Sequence, residues 1–202
     1  MISVYNIKPK FQKLLMPLLI ILRRFGVSPN VITISSIFLS FVISYFFWCY
    51  LDNHFYLLIV AFGLLLRMML NALDGMMARV YRLQSKTGEA LNEVGDIISD
   101  VAVYFPLIKF SSLNIEVAIL FIVLSVINEF AGLLAKVISL ERRYDGPMGK
   151  SDRALLIGVI CIVYYFTENL DPYMNYLIGF SCVLMIVSSF IRLKKSLEKW
   201  KK

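Results

Sequence analysis

Residues 71–100 read NALDGMMARVYRLQSKTGEALNEVGDIISD. The stretch decides the fold, because it sets carboxylates, amides and an arginine between segments apolar enough to sit in lipid. Outward from it, apolar runs of spanning length, about 17–25 residues, recur at 30–51, 55–82, 87–110, 114–140, 152–168 and 173–193. Of the 202 residues 59% are hydrophobic and only 17% charged, and the mean hydropathy is +0.73. These values exclude an ordinary water-soluble domain. The expected fold is an all-α integral membrane protein with six transmembrane helices. The first 29 residues differ: KPKFQKLLMPLLIILRRFG (8–26) has a short apolar centre between Lys8, Lys10 and Lys13 on one side and Arg23 and Arg24 on the other. That pattern predicts an N-terminal interfacial amphipathic helix, neither a span nor a cleaved signal peptide. The domain organisation is then 1–29 as the interfacial helix and 30–202 as one six-helix transmembrane domain.

Charge gives the orientation. Of 21 Lys and Arg, all but Arg67, Lys109 and Lys136 fall in the N-terminal segment, in 79–86, in 142–153, or in the tail from Arg192. Those stretches lie on one side of the six-span arrangement, so both termini are expected to be cytoplasmic. The net charge of +7 then reflects a basic face against anionic headgroups, and no nucleic-acid partner is expected. Cys49, Cys161 and Cys182 lie inside spans without metal-ligand spacing and read as small apolar packers.

The second and third spans carry the chemistry. At about 100° per residue, Arg67, Asn71, Asp74, Gly75, Ala78 and Arg82 share one arc of the second span. Gly88, Glu89, Asn92, Glu93, Asp96 and Asp100 share one side of the third, against Leu91, Val94, Ile98 and Val101 on the other. Three uses suit carboxylates at that depth: pairing with Arg67, Arg79 and Arg82, lining an ion path, or holding a divalent metal through hard oxygen ligands. Gly75 and Ala78 favour the last, because they clear room beside Asp74 for a bulky ligand, and Arg79 lies one turn away to meet an anion.

These residues resemble the signature of the CDP-alcohol phosphatidyltransferase family, D-x2-D-G-x2-A-R-x8-G-x3-D-x3-D. Here it reads Asn71-x2-Asp74-Gly75-x2-Ala78-Arg79-x8-Gly88-x3-Asn92-x3-Asp96, with every spacing intact. SPNVIT (28–33) is similar to the Pro-Asn-x-x-Thr that often opens the family's first span. The resemblance implies transfer of a phosphatidyl group from CDP-diacylglycerol to an alcohol, free or phosphorylated, with release of CMP in phospholipid synthesis. It implies a divalent metal, Mg2+ or Mn2+, at Asn71, Asp74, Asn92 and Asp96. Gly75, Ala78, Arg79 and Gly88 would shape the nucleotide site, and Asp96 would be the base for the attacking hydroxyl. A homodimer in a bacterial inner membrane is expected. The alternatives are a CDP-alcohol:diacylglycerol phosphotransferase, a catalytically silent lipid- or nucleotide-binding protein, or a six-span transporter.

The departure is Asn at the first and third Asp positions, Asn71 and Asn92. An amide oxygen can ligate a hard cation but brings no charge. Three readings are open: Glu89, Glu93 or Asp100, on the same side of the helix, restores the charge; the site holds a single metal; or activity is lost and the groove binds lipid or nucleotide. Glu93 is the expected substitute, and a rim pair with Arg79 or Lys86 is its alternative. A second basic site, Arg142, Arg143, Lys150 and Arg153, surrounds a Gly-Pro turn before a helix expected to begin near Ser151. It could receive an acceptor phosphate or simply mark the cytoplasmic side.

Overall fold

The computed structural model describes residues 8–167 and 169–200. Seven α-helices follow one another: α1 Lys8–Arg24, α2 Pro29–Trp48, α3 Phe55–Val80, α4 Lys86–Tyr104, α5 Ile115–Ser139, α6 Lys150–Phe166 and α7 Met174–Trp200. Residues 1–7 of the expected interfacial segment, and Lys201 and Lys202 of the basic tail, lie outside the described residues.

Helix ends follow local chemistry. Ser28 caps α2, with Pro29 supplying the preset φ of a first turn. Ser85 caps α4, its Oγ accepting from the Gly88 N–H at 3.0 Å. The second apolar run ends at Val80, short of the expected residue 82. Arg82 takes a left-handed φ of 54°, and Leu83 N–H donates to the Ala78 carbonyl at 2.9 Å. This is a Schellman closure, so Arg82 leaves the arc that helical periodicity gave it. After Tyr104, α4 passes into a 3-10 turn, Phe105–Lys109, where Pro106 cannot donate the next helical bond. Helix α6 begins at Lys150 rather than near Ser151: Gly149 is its N-cap, and Asp152 accepts the Gly149 N–H at 3.0 Å.

Helix α2 packs on α3 and α4, α3 on α6, and α5 on α7. Away from the polar faces an apolar core joins Phe47, Tyr50, Tyr104, Leu107, Phe110 and Phe121. Helix α1 lies on the polar end of α3, with Leu15 and Leu19 set against Leu73, Met76 and Met77. The outward faces are apolar: Phe62 (66% exposed), Phe180 (64%) and Phe190 (67%) have no protein cover. That is how a lipid-facing surface reads, since side chains there need no water.

Among the described residues four helical stretches are long and apolar enough to cross a membrane: α2, α3, α5 and Asp171–Trp200, which contains α7. The other two expected spans fall short for separate reasons. Helix α4 carries Lys86, Glu89, Glu93, Asp96 and Asp100, and α6 has only 17 residues.

Candidate active site

The signature residues converge. The polar faces of α3 and α4 meet around a cavity of about 820 Å³, whose wall includes Asn71, Asp74, Asn92 and Asp96 together with Gly75 and Arg79. Ala78 and Gly88 also line it. Helix α2 supplies the connection. Its Thr33 hydroxyl donates to Asp74 Oδ2 at 3.1 Å, and its Ser36 hydroxyl donates to Asn71 Oδ1 at 2.7 Å. A Cβ on Gly88 would lie 2.7 Å from Asn30 Oδ1, so the glycine lets α4 approach the start of α2. The Pro-Asn-x-x-Thr resemblance thereby acquires a physical content.

Asp74 is buried (5% exposed) and is held by the Thr33 hydroxyl and the Gly75 N–H. Among the described residues it has no cation within ion-pair distance. A buried carboxylate without a cation is costly, and this one opens on a cavity whose other signature donors are also oxygen atoms. The set therefore fits a hard divalent cation, which Asp74, Asp96 and the amide oxygens of Asn71 and Asn92 would hold. Asp96 is bound by the Lys150 ammonium, from the first turn of α6.

The substitutes expected to restore charge are occupied elsewhere. Glu93 pairs with Arg142 and is not on the cavity wall; neither Arg79 nor Lys86 is its partner. Glu89 pairs with Lys136. Asp100, 1% exposed, takes Arg67 at 2.6 Å and Arg153 at 2.7 Å. Among the described residues no group of three His, Cys, Asp or Glu side chains is placed to hold a metal ion.

The second basic site divides. Lys150 and Arg142 reach the cavity wall, whereas Arg143 and Arg153 do not. Arg143 pairs with Asp145 at 3.7 Å. Arg153, 0% exposed, binds Asp100 and Glu129, and Glu129 in turn takes Arg142 at 2.9 Å. Burial alone would lower the pKa of Arg142, but Tyr144, Glu129 and Glu93 outweigh it and hold the guanidinium above its usual range. A ladder Arg67–Asp100–Arg153–Glu129–Arg142–Glu93 thus ties α3, α4, α5 and α6 to the loop after α5. Satisfying alternate charges in this way is how a membrane interior carries them.

In sequence Arg192 reads only as a tail charge, yet it lines the cavity at 2% exposure. Its Nη1 donates to the Asn128 carbonyl at 2.5 Å and its Nε to the Asp145 carbonyl at 3.1 Å. Among the described residues it has no carboxylate within ion-pair distance. The signal available in the sequence was its position seven residues after Met185, still on the apolar-flanked face of the last span.

The loop between α5 and α6 closes this end of the cavity. Gly146 has a φ of +97°, and a Cβ there would lie 2.7 Å from the Ser188 Cα. Backbone conformation and backbone contact both exclude a side chain, so Gly146→Ala should cost about 2 kcal/mol or more. A fall in the thermal midpoint of the purified protein checks it; an unchanged midpoint would show that the loop does not seat on α7. At the exposed rim, the Lys199 hydrogen bond and charge hold the Glu141 carboxyl below its usual range.

Comparison with known proteins agrees with this geometry. The chain is 36% identical over 195 residues to the inner membrane protein YnbA of Escherichia coli K12, covering 96% of both chains. It is 35% identical over 127 residues to an uncharacterized protein of Aquifex aeolicus, covering 62% of each. Among solved structures it resembles the Mycobacterium tuberculosis phosphatidylinositol phosphate synthase PgsA1. The form with manganese and citrate superimposes with a TM-score of 0.72 at 21% identity, covering 90% of this chain and 88% of that one. The form with CDP-DAG bound gives a TM-score of 0.71 at 21% identity, covering 89% and 92%. A family model described as CDP-alcohol phosphatidyltransferase matches residues 26–189. With the signature gathered on one cavity and a family match over most of its length, this chain belongs to the CDP-alcohol phosphatidyltransferase family of membrane enzymes.

Proposed function

We propose that the protein transfers a phosphatidyl group from CDP-diacylglycerol to an alcohol and releases CMP. The observation that carries this is the mixed lining of the cavity, which combines Asp74, Asp96 and Arg79 with the apolar Phe11, Leu65, Met68 and Ala72. A donor with a charged pyrophosphate and a lipid body needs both. A soluble CDP-alcohol with diacylglycerol as acceptor is the reading this favours less, because only the first places nucleotide, pyrophosphate and acyl chains in one molecule. The binding of CDP-DAG by the M. tuberculosis enzyme of similar fold supports the same choice.

The residues divide the work as follows. Arg79 has no ion pair among the described residues, lies over Gly75 and faces the cavity; it meets the donor's phosphates, with Gly75 giving its guanidinium room and Ala78 and Gly88 completing the nucleotide wall. The acceptor hydroxyl oxygen attacks the phosphorus bearing diacylglycerol. The bond from that phosphorus to the oxygen of CMP breaks, and CMP leaves with the electron pair. Asp96 takes the hydroxyl proton. A divalent cation, Mg2+ or Mn2+, neutralises charge on the phosphates when bound. Lys150, Arg142 and Arg192 form the acceptor side, where a phosphorylated alcohol would find Arg192 without a carboxylate to displace.

In the membrane, α2 to α7 form six crossings, with α4 packed on α2 and α5 and α6 packed on α3, and α1 lies at the cytoplasmic interface. Leu14 (74% exposed) and Ile21 (48%) then face lipid while Leu15 and Leu19 pack on α3. Both termini are cytoplasmic, residues 1–29 form the interfacial element and 30–202 the catalytic domain, and the enzyme works as a homodimer in a bacterial inner membrane.

The test is metal-dependent CMP release by purified protein, with CDP-diacylglycerol and CDP-alcohols as rival donors and plain and phosphorylated alcohols as acceptors. CMP from CDP-diacylglycerol, matched by new phospholipid, is the expected result. CMP only from a CDP-alcohol would reverse the donor assignment, and flux of a solute without CMP would replace the enzyme with a carrier.

A further inference from the structure

The charges around the cavity can be followed one by one, and they leave little for metal. Of the five acidic residues on its wall, Glu89 is taken by Lys136 and Glu129 by Arg142 and Arg153, and Asp152 accepts the Gly149 N–H in the α6 cap. Asp74 and Asp96 remain. Asp74 has no cation partner among the described residues, while Asp96 already holds the Lys150 ammonium. Asn71 and Asn92 add oxygen atoms without charge, and the Asn71 carbonyl also accepts from Ser36 at 2.7 Å. Asp100 and Glu93, on the same side of α4, are bound to arginines.

From this inventory we infer that the site takes a single divalent cation per chain, centred on Asp74, and that the Lys150 ammonium supplies the second positive charge beside Asp96. Two divalent ions would bring four positive charges to two free carboxylates, with an ammonium already in place. Like charges that close disfavour one another. One divalent ion with Lys150 brings three, an excess of one over the two carboxylates against an excess of three for two ions, so the substrate-free site is nearest neutrality with one. Lys150 therefore serves the metal site as well as the acceptor side, as a positioning group toward the reacting phosphates. The inference rests on the phosphatidyl-transfer reading for the ion's use, but not for its number.

The number is measured directly by titrating the detergent-solubilised full chain with Mn2+ and following free Mn2+ by electron paramagnetic resonance, with no substrate present. About one bound ion per chain is expected. Asp74→Asn should weaken binding about 100-fold or more. Lys150→Met should strengthen it about tenfold, because a competing ammonium is removed. The triple variant Asn71→Asp, Asn92→Asp, Lys150→Met should bind about two ions. Two ions on the unaltered chain would overturn the inference, as would none, a triple variant that still binds one, or a Lys150→Met that binds no more tightly. CMP release is scored in parallel so that the two readings fail separately. Two ions with CMP release sinks only the single-ion inference, and one ion without CMP release sinks only the phosphatidyl transfer.

Discussion

Asp96→Asn is expected to reduce CMP release by about 100- to 10,000-fold while leaving the fold intact. The range is what a positioned proton acceptor contributes to a transfer of this kind, and the amide keeps the size of the carboxylate. The side chain lies on the cavity wall with the Lys150 ammonium beside it, and its neighbours at Glu93 and Asp100 are already bound to arginines. No other carboxylate on that face of α4 is free to take over. The measurement is single-turnover CMP release, with thermal unfolding and CDP-diacylglycerol binding as controls on the same sample. A variant that binds the donor, unfolds normally and turns over at the wild-type rate would remove Asp96 from the mechanism. If Asp96 served only to hold Lys150, then Lys150→Met would reproduce the loss in full; under the proposed roles it lowers turnover less than Asp96→Asn does.

How far the sequence could be read depended on whether partners were local. The signature residues sit at helical spacing on α3 and α4, so periodicity alone brought Asn71, Asp74, Asn92 and Asp96 to one cavity. The partner of Glu93 is not legible, because Arg142 lies 49 positions along the chain in a loop that no periodicity places. In sequence Arg153 shares with Lys150 both readings of the basic cluster, anion site or cytoplasmic charge, and neither anticipates that α6 turns it inward to Asp100 and Glu129. Arg192 was lost among tail cations for the same reason: its contacts, the carbonyls of Asn128 and Asp145, are tertiary. Helix α3 stopped early because a Schellman closure is a backbone event with only Arg82 to announce it, where glycine is the usual mark; Gly26 after α1, with φ of 73°, does carry that mark. The six expected spans divided by composition. Helix α4 packs its polar side against α2 and α5 and pairs Asp100 with Arg67 of α3, so a segment's own apolarity understates how well it suits the bilayer.

Asp100→Asn is expected to be the most destabilising single change at the polar face, although Asp100 touches neither the cavity nor any proposed substrate. Its two oxygens accept from Arg67 Nη2 at 2.6 Å and Arg153 Nη2 at 2.7 Å, with side chains 2% and 0% exposed. Neutralising it leaves two guanidinium groups buried against one remaining acid, Glu129. Breaking a buried pair from one side costs about 3–5 kcal/mol, a large part of the roughly 5–15 kcal/mol that holds a domain folded. The ladder also sets the rotation of α4 about its axis, since Asp100 lies one turn beyond Asp96 on the same face. Whatever Asp100→Asn protein is recovered should therefore bind Mn2+ poorly as well as melt early. Glu141→Gln is the control, because its partner Lys199 is 45% exposed and the pair sits at the solvated rim, where ion pairs contribute little. Thermal unfolding of the two variants in the same detergent should show a large fall for Asp100→Asn and no measurable change for Glu141→Gln. Equal shifts would mean that the buried ladder carries no more of the fold than a surface pair. A double variant with Arg67→Met should recover part of the loss, because one of the two stranded charges is then gone.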